Sequence, residues 1–237
     1  MATAPLASAT PKPYRVPLVL SPNTSSCTSV PQPSFRGLAV ALLAPLFVAC
    51  NTAKTSDEPA DAMGAMANMS GMDTPVTIPQ GAIYTAADVH FMQGMIAHHG
   101  QAIFMSRLAT SHGANPRLQR FANKIDQSQQ AEIRLMQDWL SANKQTVPDS
   151  ASYHTVMMPG MLTAEQVKQL EAAKGAEFDK QFLLLMIQHH EGALKMVDDL
   201  LASPLAAQEV NVSVFANDVT TVQTAEIGVM RQMLDNL

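Results

Sequence analysis

Two adjacent histidine pairs carry most of the chemistry that this sequence could perform. One pair lies in DVHFMQGMIAHHGQAIFM, which begins at Asp88, and the other in DKQFLLLMIQHHEGALKM, which begins at Asp179. In both segments a methionine precedes the pair by one helical turn and another follows it. The candidate ligands are His98, His99, Met95 and Met105 in the first segment, and His189, His190, Met186 and Met196 in the second.

Imidazole and thioether groups together form a borderline-to-soft ligand set. Such a set favours copper and silver over Mg, Ca or Mn, and thioethers favour Cu(I) in particular. We therefore predict a copper site, with Cu(I) ahead of Cu(II), silver as a surrogate ion and no organic cofactor. His90 is a further candidate ligand, although the second segment has Gln181 at its position.

A third group of candidate ligands lies in DAMGAMANMSGM, where a methionine stands at every third position. Small and polar residues separate the methionines, so this stretch cannot bury enough apolar surface to fold alone. Several weak thioether ligands on one tether raise the local ligand concentration. The strip is predicted to capture a soft ion at low specificity through Met63, Met66, Met69 and Met72.

The elements that must position the histidines are predicted from an internal duplication. The histidine segments repeat at an offset of 91 residues, and the F-A-N and Q-x-A-E-I segments that follow them repeat at 94. Helical periodicity and capping signals, such as Thr85 with Asp88 and Asn115-Pro116, indicate two αα-hairpins. The fold class is therefore all-α: a four-helix bundle over 84–237, with halves at about 84–142 and 163–237.

On a helical wheel at 100° per residue, both histidines of each pair flank the preceding methionine on the apolar face. The histidines are therefore expected to point into the bundle. Adjacent residues diverge by 100°, so the two members of a pair need not bind the same ion.

The N-terminal part is predicted to direct export of the protein rather than to fold. Residues 1–49 form a leader and signal region, in which the apolar run 38–49 is too short for an ordinary membrane span. LFVAC resembles a lipobox, so Cys50 is a candidate lipid anchor, with plain signal cleavage near Ala49 or an uncleaved anchor as the alternatives. Residues 50–83 are predicted to be a disordered Met-rich tether. The expected location is outside a bacterial cytoplasm, as a periplasmic or membrane-anchored lipoprotein.

Composition excludes several classes of function. The net charge of −5 and the absence of a long basic run make nucleic acid an unsuitable partner. The two cysteines form no C-x-x-C, and no nucleophile elbow, phosphate loop or dinucleotide loop occurs. Enzymatic activity is not expected. The partners predicted are a soft metal ion and a membrane reached through Cys50, with a homo-oligomer or a metal-exchange partner left open.

The D…F…M-I-x-H-H…A…M segment and the Q-x-A-E-I…M helix resemble the domain-of-unknown-function 305 family over about residues 84–237. The resemblance implies a ferritin-like four-helix bundle exported from a bacterial cytoplasm. Some methionine-rich members are periplasmic copper-binding proteins linked to copper resistance. The resemblance thus implies a protein that sequesters or hands on copper through the His-His and Met positions.

Two other functions fit parts of the pattern. The histidines could form a polar layer in the core of a structural or interaction lipoprotein without any metal. A di-iron ferritin-like enzyme is weaker, because no Glu-x-x-His occurs in the predicted bundle. A further Met cluster, HTVMMPGM at 154–161, is predicted to pack on the bundle end, with a Met-His lid as the alternative.

Overall fold

The computed structural model describes residues 76–112 and 115–237, and the regular secondary structure of these residues is entirely helical. The α-helices are α1 (Ala86–Ser111), α2 (Pro116–Ala142), α3 (Ala164–Ala172), α4 (Gly175–Ala202) and α5 (Val210–Leu234), and a 3₁₀ helix spans Ser150–His154. The prediction of an all-α fold with four long helices and one short one is confirmed.

Capping residues that are recognisable in the sequence begin three of the helices. Thr85 and Asp88 form a reciprocal capping box at α1, and Thr163 and Gln166 form another at α3. The side chain of Asn115 caps α2, with a proline in the first turn. Each cap supplies an acceptor to backbone N–H groups that have no partner inside the helix.

The long helices pack as two hairpins, α1 on α2 and α4 on α5, which meet through α1 and α4. One apolar cluster joins mainly the first half of α1 and the end of α2 to the end of α4 and the start of α5. A second cluster joins the end of α1 and the start of α2 to the start of α4 and the end of α5. Helices α1 and α4 are therefore antiparallel, and their midpoints lie between the two clusters.

Residues 76–83, which the sequence places in the tether, pack on the bundle. Val76 and Ile78 lie against the first apolar cluster, and the side chain of Gln145 donates to the Thr77 carbonyl at 3.0 Å. Residues 1–75 lie outside the described residues. The predictions for the leader, for Cys50 and for most of the tether are therefore not addressed by the structure.

The connection between the hairpins crosses the middle of the bundle, and the prediction that HTVMMPGM packs on its end is wrong. We call residues 155–162 the strap. The Pro159 carbonyl contacts His98 in the middle of α1, and the backbone of Gly160 lies against Gly192 in α4. The reason is topological: α2 ends beside the start of α1, whereas α4 begins at the opposite end, so the connection must travel the length of the bundle.

Two aspartates at equivalent positions of the repeat tie each half of the chain to the other. Asp88, in the first turn of α1, accepts a hydrogen bond from the backbone N–H of Ala207 in the α4–α5 loop at 2.7 Å. Asp179, near the start of α4, accepts the backbone N–H of Asn115 in the α1–α2 loop at 3.0 Å. Ala207 has a left-handed backbone, φ 54°, which a non-glycine residue adopts only at an energetic cost. These paired contacts thus hold both loops in place.

Replacing either aspartate by alanine should lower the free energy of unfolding by about 1–3 kcal/mol, because a backbone N–H of the opposite loop loses its charged acceptor. Urea denaturation of Asp88→Ala and Asp179→Ala measures the effect. Asp198→Ala, at an exposed position of α4, is the control and should change stability by less than about 0.5 kcal/mol. Equal stabilities for all three variants would contradict the clamping role.

Candidate metal centre

A polar layer crosses the middle of the bundle between the two apolar clusters. All four long helices contribute to it, and its side chains are buried apart from that of Glu132, which is 26% exposed. The layer contains His98 and His99 from α1, Gln129 and Glu132 from α2, His189 and His190 from α4, and Gln223 and Glu226 from α5. The four histidines have no exposed surface, as the helical wheel predicts.

Two histidine–carboxylate pairs occupy equivalent positions in the two halves. His99 Nε2 lies 2.6 Å from Glu132 Oε2, and His190 Nε2 lies 2.9 Å from Glu226 Oε2. A carboxylate accepts a hydrogen bond, so each imidazole donates through Nε2. The duplication therefore reproduces an interaction between helices, as well as a sequence pattern.

The other two histidines meet where α1 and α4 cross. The ring centroids of His98 and His189 are 3.8 Å apart, and His98 Nε2 lies 3.0 Å from the Pro159 carbonyl oxygen. Burial, reinforced by the neighbouring His99, lowers the pKa of His98 to about 3. Burial and the adjacent His98 likewise hold the pKa of His189 well below its ordinary value. Both rings are neutral near pH 7, and each keeps a nitrogen lone pair.

The layer has more buried acceptors than donors. Among the described residues, the buried layer atoms without a hydrogen-bond partner are Nδ1 of His98, His99 and His190, both ring nitrogens of His189, Oε1 of Gln129 and Gln223, and Oε1 of Glu226. The exposed ammonium of Lys124 lies 4.0 Å from the Glu226 atom. Buried acceptors are normally satisfied, and a cation can satisfy several lone pairs at once.

The four predicted methionine ligands are divided between the two apolar clusters, with one from each half of the chain in each cluster. Met95 belongs to the same apolar cluster as Met196, and Met105 to the same cluster as Met186. Three of these side chains are fully buried, and Met196 is 7% exposed. The sequence associates each methionine with the histidines of its own half. Because α1 and α4 are antiparallel, each methionine instead shares a cluster with one from the other half.

The remaining predicted ligands are not brought to the layer. His90 is half-buried near the start of α1, and the eight residues that separate it from His98 correspond to roughly 12 Å along the helix axis. Burial lowers its pKa. Met63, Met66, Met69 and Met72 lie outside the described residues.

Four polar members of the layer were not predicted as site residues. Gln129 and Glu132 stand one turn apart on α2, and Gln223 and Glu226 repeat that spacing on α5. The repeat alignment includes all four, and a repeated Gln-x-x-Glu whose members face an apolar core was a usable signal. The repeated pattern does not show which histidine each glutamate contacts, because the histidines lie on other helices.

The layer fits a metal ion through the types of its ligand atoms rather than through a preformed group of ligands. Within the described residues, no three His, Cys, Asp or Glu side chains are grouped so that they could hold an ion together. A site in this layer therefore needs the methionine thioethers in addition to the imidazoles. That mixture suits a soft ion of low coordination number.

Residues 88–234, more than half of the chain, match the family described as a domain of unknown function, DUF305. The chain belongs to the DUF305 family. No curated protein matches the sequence.

Solved structures of DUF305 proteins share the fold. A fragment from Deinococcus radiodurans is 28% identical with a TM-score of 0.58, covering 65% of this chain and 99% of its own. A Streptomyces coelicolor DUF305 protein assigned as secreted is 26% identical with a TM-score of 0.56, covering 63% and 93%. CopM in its Cu(II)-bound form is 27% identical with a TM-score of 0.52, covering 63% and 96%. CopM has also been solved with Cu(I) and with Ag.

This DUF305 chain shows no helix, within residues 76–112 and 115–237, that combines the length and apolarity needed to cross a bilayer.

The lowered pKa values of His98 and His189 predict acid sensitivity of this DUF305 bundle. Below about pH 6.5 the unfolded chain binds protons at these positions, whereas the folded chain does not until about pH 3 at His98. These two histidines therefore contribute their full stability above the pKa of the unfolded chain. As the pH decreases below it, the free energy of unfolding falls by up to about 1.4 kcal/mol per pH unit for each histidine.

Urea denaturation at pH 7.5 and 5.5 measures this loss. A His98→Gln/His189→Gln variant should lose less stability between the two pH values than the unmodified protein. His154→Gln, at an exposed position, should keep the original pH dependence. The explanation fails if the double variant and the His154 control have the same pH dependence.

Proposed function

We propose that this protein binds Cu(I) or Ag(I) in the polar layer and its flanking thioether pairs, and that it buffers the ion or hands it on without catalysing a reaction. The observation that carries the proposal is the set of buried imidazole nitrogens without partners, placed between two apolar clusters that each contain two of the predicted methionine ligands.

The protonation state of the layer favours metal ligation. A ligating imidazole must offer a lone pair, and the low pKa of His98 keeps that ring neutral even in mildly acidic surroundings. A thioether does not titrate at all. His98 and the thioethers therefore remain competent ligands over the pH range expected of an exported protein.

The charge of the layer favours a cation. It contains the carboxylates of Glu132 and Glu226 together with the neutral rings of His98 and His189. Glu226 is 3% exposed, so water screens its charge poorly. A monovalent cation would offset part of the charge of this buried carboxylate. The cost of removing the cation from water is smaller for a soft, weakly hydrated ion.

The pairing of the methionines suggests two related positions for an ion. The ring of His99 lies 6.3 Å from that of Phe215, a member of the cluster that contains Met95 and Met196. By the internal symmetry, His190 corresponds to the cluster of Met105 and Met186. We infer two half-sites, each with one thioether from each half of the chain, on either side of the His98–His189 contact.

The comparison with CopM supports the identity of the ion. CopM shares the family and fold and has been solved with Cu(I), Cu(II) and Ag, the ions that the ligand set here suits. An exported location, with Cys50 as a lipid anchor, is part of the same proposal. It is supported by the leader sequence and by the secreted assignment of a relative.

Two alternatives remain to be tested against this proposal. A purely structural layer is favoured by the hydrogen bonds that three of the four histidines already make. The buried carboxylates give a di-iron site some support, but each half supplies one inward Glu. Helices α1 and α4 supply histidines and methionines where di-iron bundles place further carboxylates.

Replacing Met95 and Met196 by leucine should weaken Ag(I) binding by at least about tenfold, or ~1.4 kcal/mol, because leucine keeps the volume and removes the sulfur. Competition with a chromophoric chelator measures affinity, and thermal unfolding reports on the fold. Met233→Leu is the matched control, since Met233 is buried about 10 Å along α5 from Glu226. Binding that is equal in the pair variant, the control and the unmodified protein would support the structural layer. Binding of Fe(II) with oxygen consumption would support the di-iron alternative.

The Met-rich strip should contribute bound ions independently of the bundle. Changing Met63, Met66, Met69 and Met72 together to leucine is expected to lower the number of Ag(I) ions bound, because the strip would lose all its thioethers. Native mass spectrometry counts the ions, and circular dichroism should show unchanged helix content. An unchanged ion count would leave the strip as a linker only.

A further inference from the structure

Three buried histidines hold the same ring nitrogen in a hydrogen bond, each to a partner from a different element. His98 Nε2 contacts the Pro159 carbonyl of the strap, His99 Nε2 contacts Glu132 of α2, and His190 Nε2 contacts Glu226 of α5. In all three rings Nδ1 is buried without a partner in the described residues. Three of the four histidines of the layer thus share one arrangement, with Nε2 hydrogen-bonded and Nδ1 without a partner.

The chemistry of the partners determines where the proton lies. A carbonyl oxygen and a carboxylate can only accept, so Nε2 must carry the hydrogen. A hydrogen on Nδ1 would have no acceptor in a buried environment, which is unfavourable. Each of these rings is therefore expected to be the Nε2–H tautomer, with a bare lone pair on Nδ1.

We propose that the layer binds its soft ions through Nδ1 of His98, His99 and His190, with Glu132, Glu226 and the Pro159 carbonyl acting as positioning groups that hold Nε2–H. This assignment rests on the proposed function, and it adds the ligating atom and the residues that select it. A partner on the far nitrogen fixes the orientation of a ligating ring and raises its basicity. The carboxylates should strengthen His99 and His190 as donors more than the neutral carbonyl strengthens His98.

The strap is held firmly enough to serve as a positioning element. The side chain of Gln101 accepts from the Leu162 N–H at 2.7 Å and donates to the Leu162 carbonyl at 3.2 Å. Gln188 donates to the Gly160 carbonyl at 3.2 Å. Gly192 has no side chain at the point of closest approach, where a Cβ would overlap the Pro159 carbonyl oxygen.

The tautomers can be observed directly in the full chain labelled with ¹⁵N-histidine. Long-range ¹H–¹⁵N correlation spectra of the ion-free protein should show a protonated Nε2 and a bare Nδ1 at His98, His99 and His190. Addition of Ag(I) should then shift the Nδ1 resonances of these rings and leave Nε2 protonated. Protonated Nδ1 in the ion-free protein, or Ag(I) shifts confined to Nε2, would overturn the inference.

Variants separate the positioning role from a purely structural one. Glu132→Gln and Glu226→Gln keep an oxygen acceptor but remove the charge, and each should weaken Ag(I) binding about 10–100-fold while Nε2 stays protonated. Unchanged affinity in both would overturn the role of the carboxylates.

Gly192→Ala should displace the Pro159 carbonyl and leave His98 as a mixture of tautomers, with His99 and His190 unchanged. Gly228→Ala is the matched control, because a Cβ at Gly228 in α5 would meet no atom within 4 Å. A His98 spectrum identical in both variants would overturn the role of the strap. If the unmodified protein bound no Ag(I), the proposed function and the ligation step would both fail, whereas the tautomers of the ion-free protein would still test the positioning groups.

Discussion

The structure depends on placing four imidazoles, two glutamines and two glutamates, all buried except Glu132, in the middle of a helical bundle. Each buried polar atom without a partner costs about 1–3 kcal/mol, and several such atoms lie at one level of α1 and α4. Apolar side chains at these positions would be more stable and easier to pack. The layer is maintained by compact clusters above and below it and by the reciprocal aspartate contacts at the two ends. Stability supplied by the ends of the bundle thus offsets the cost of polar groups at its centre.

Internal duplication explains why equivalent residues of the two halves come together at the centre of the bundle. A repeated hairpin that packs on its own copy through α1 and α4 places equivalent residues close to a local two-fold axis. His98 and His189 are such equivalents, and their rings are in contact. Residues on one side of the axis in α1 group with residues on the same side in α4, so Met95 shares a cluster with Met196 rather than with Met186. Neither hairpin alone contains the full set of donors, and the layer exists only when both halves are folded and joined.

The sequence predicts the fold and the inward histidines because those features depend on local patterns. Capping residues such as Thr85 and Asn115, helical periodicity and the repeat offsets require no knowledge of how the helices pack. The missed features are those that depend on packing. The pairing of His99 with Glu132 needs the axial register of α2 against α1, and the position of the strap needs the direction of α4. Pro204 marks the α4–α5 loop in the sequence, but Leu205 and Ala207 have left-handed backbones although neither is glycine, so the conformation of this loop is not predicted.

The enclosure of the layer is uneven, and this bears on how an ion could reach it. Most of the layer lies beneath whole helices. At His98, the Pro159 carbonyl contacts a ring with no exposed surface, although Pro159 itself is exposed. Hydrogen bonds to Gln101 and Gln188 hold this segment, and such contacts can be broken and re-formed without disturbing an apolar cluster. Solvent therefore approaches the imidazoles at the strap and also beside His99, at the partly exposed Glu132. The carbonyl that orients His98 lies at the first of these two places, so the geometry of this ligand and the access of an ion depend on the same segment.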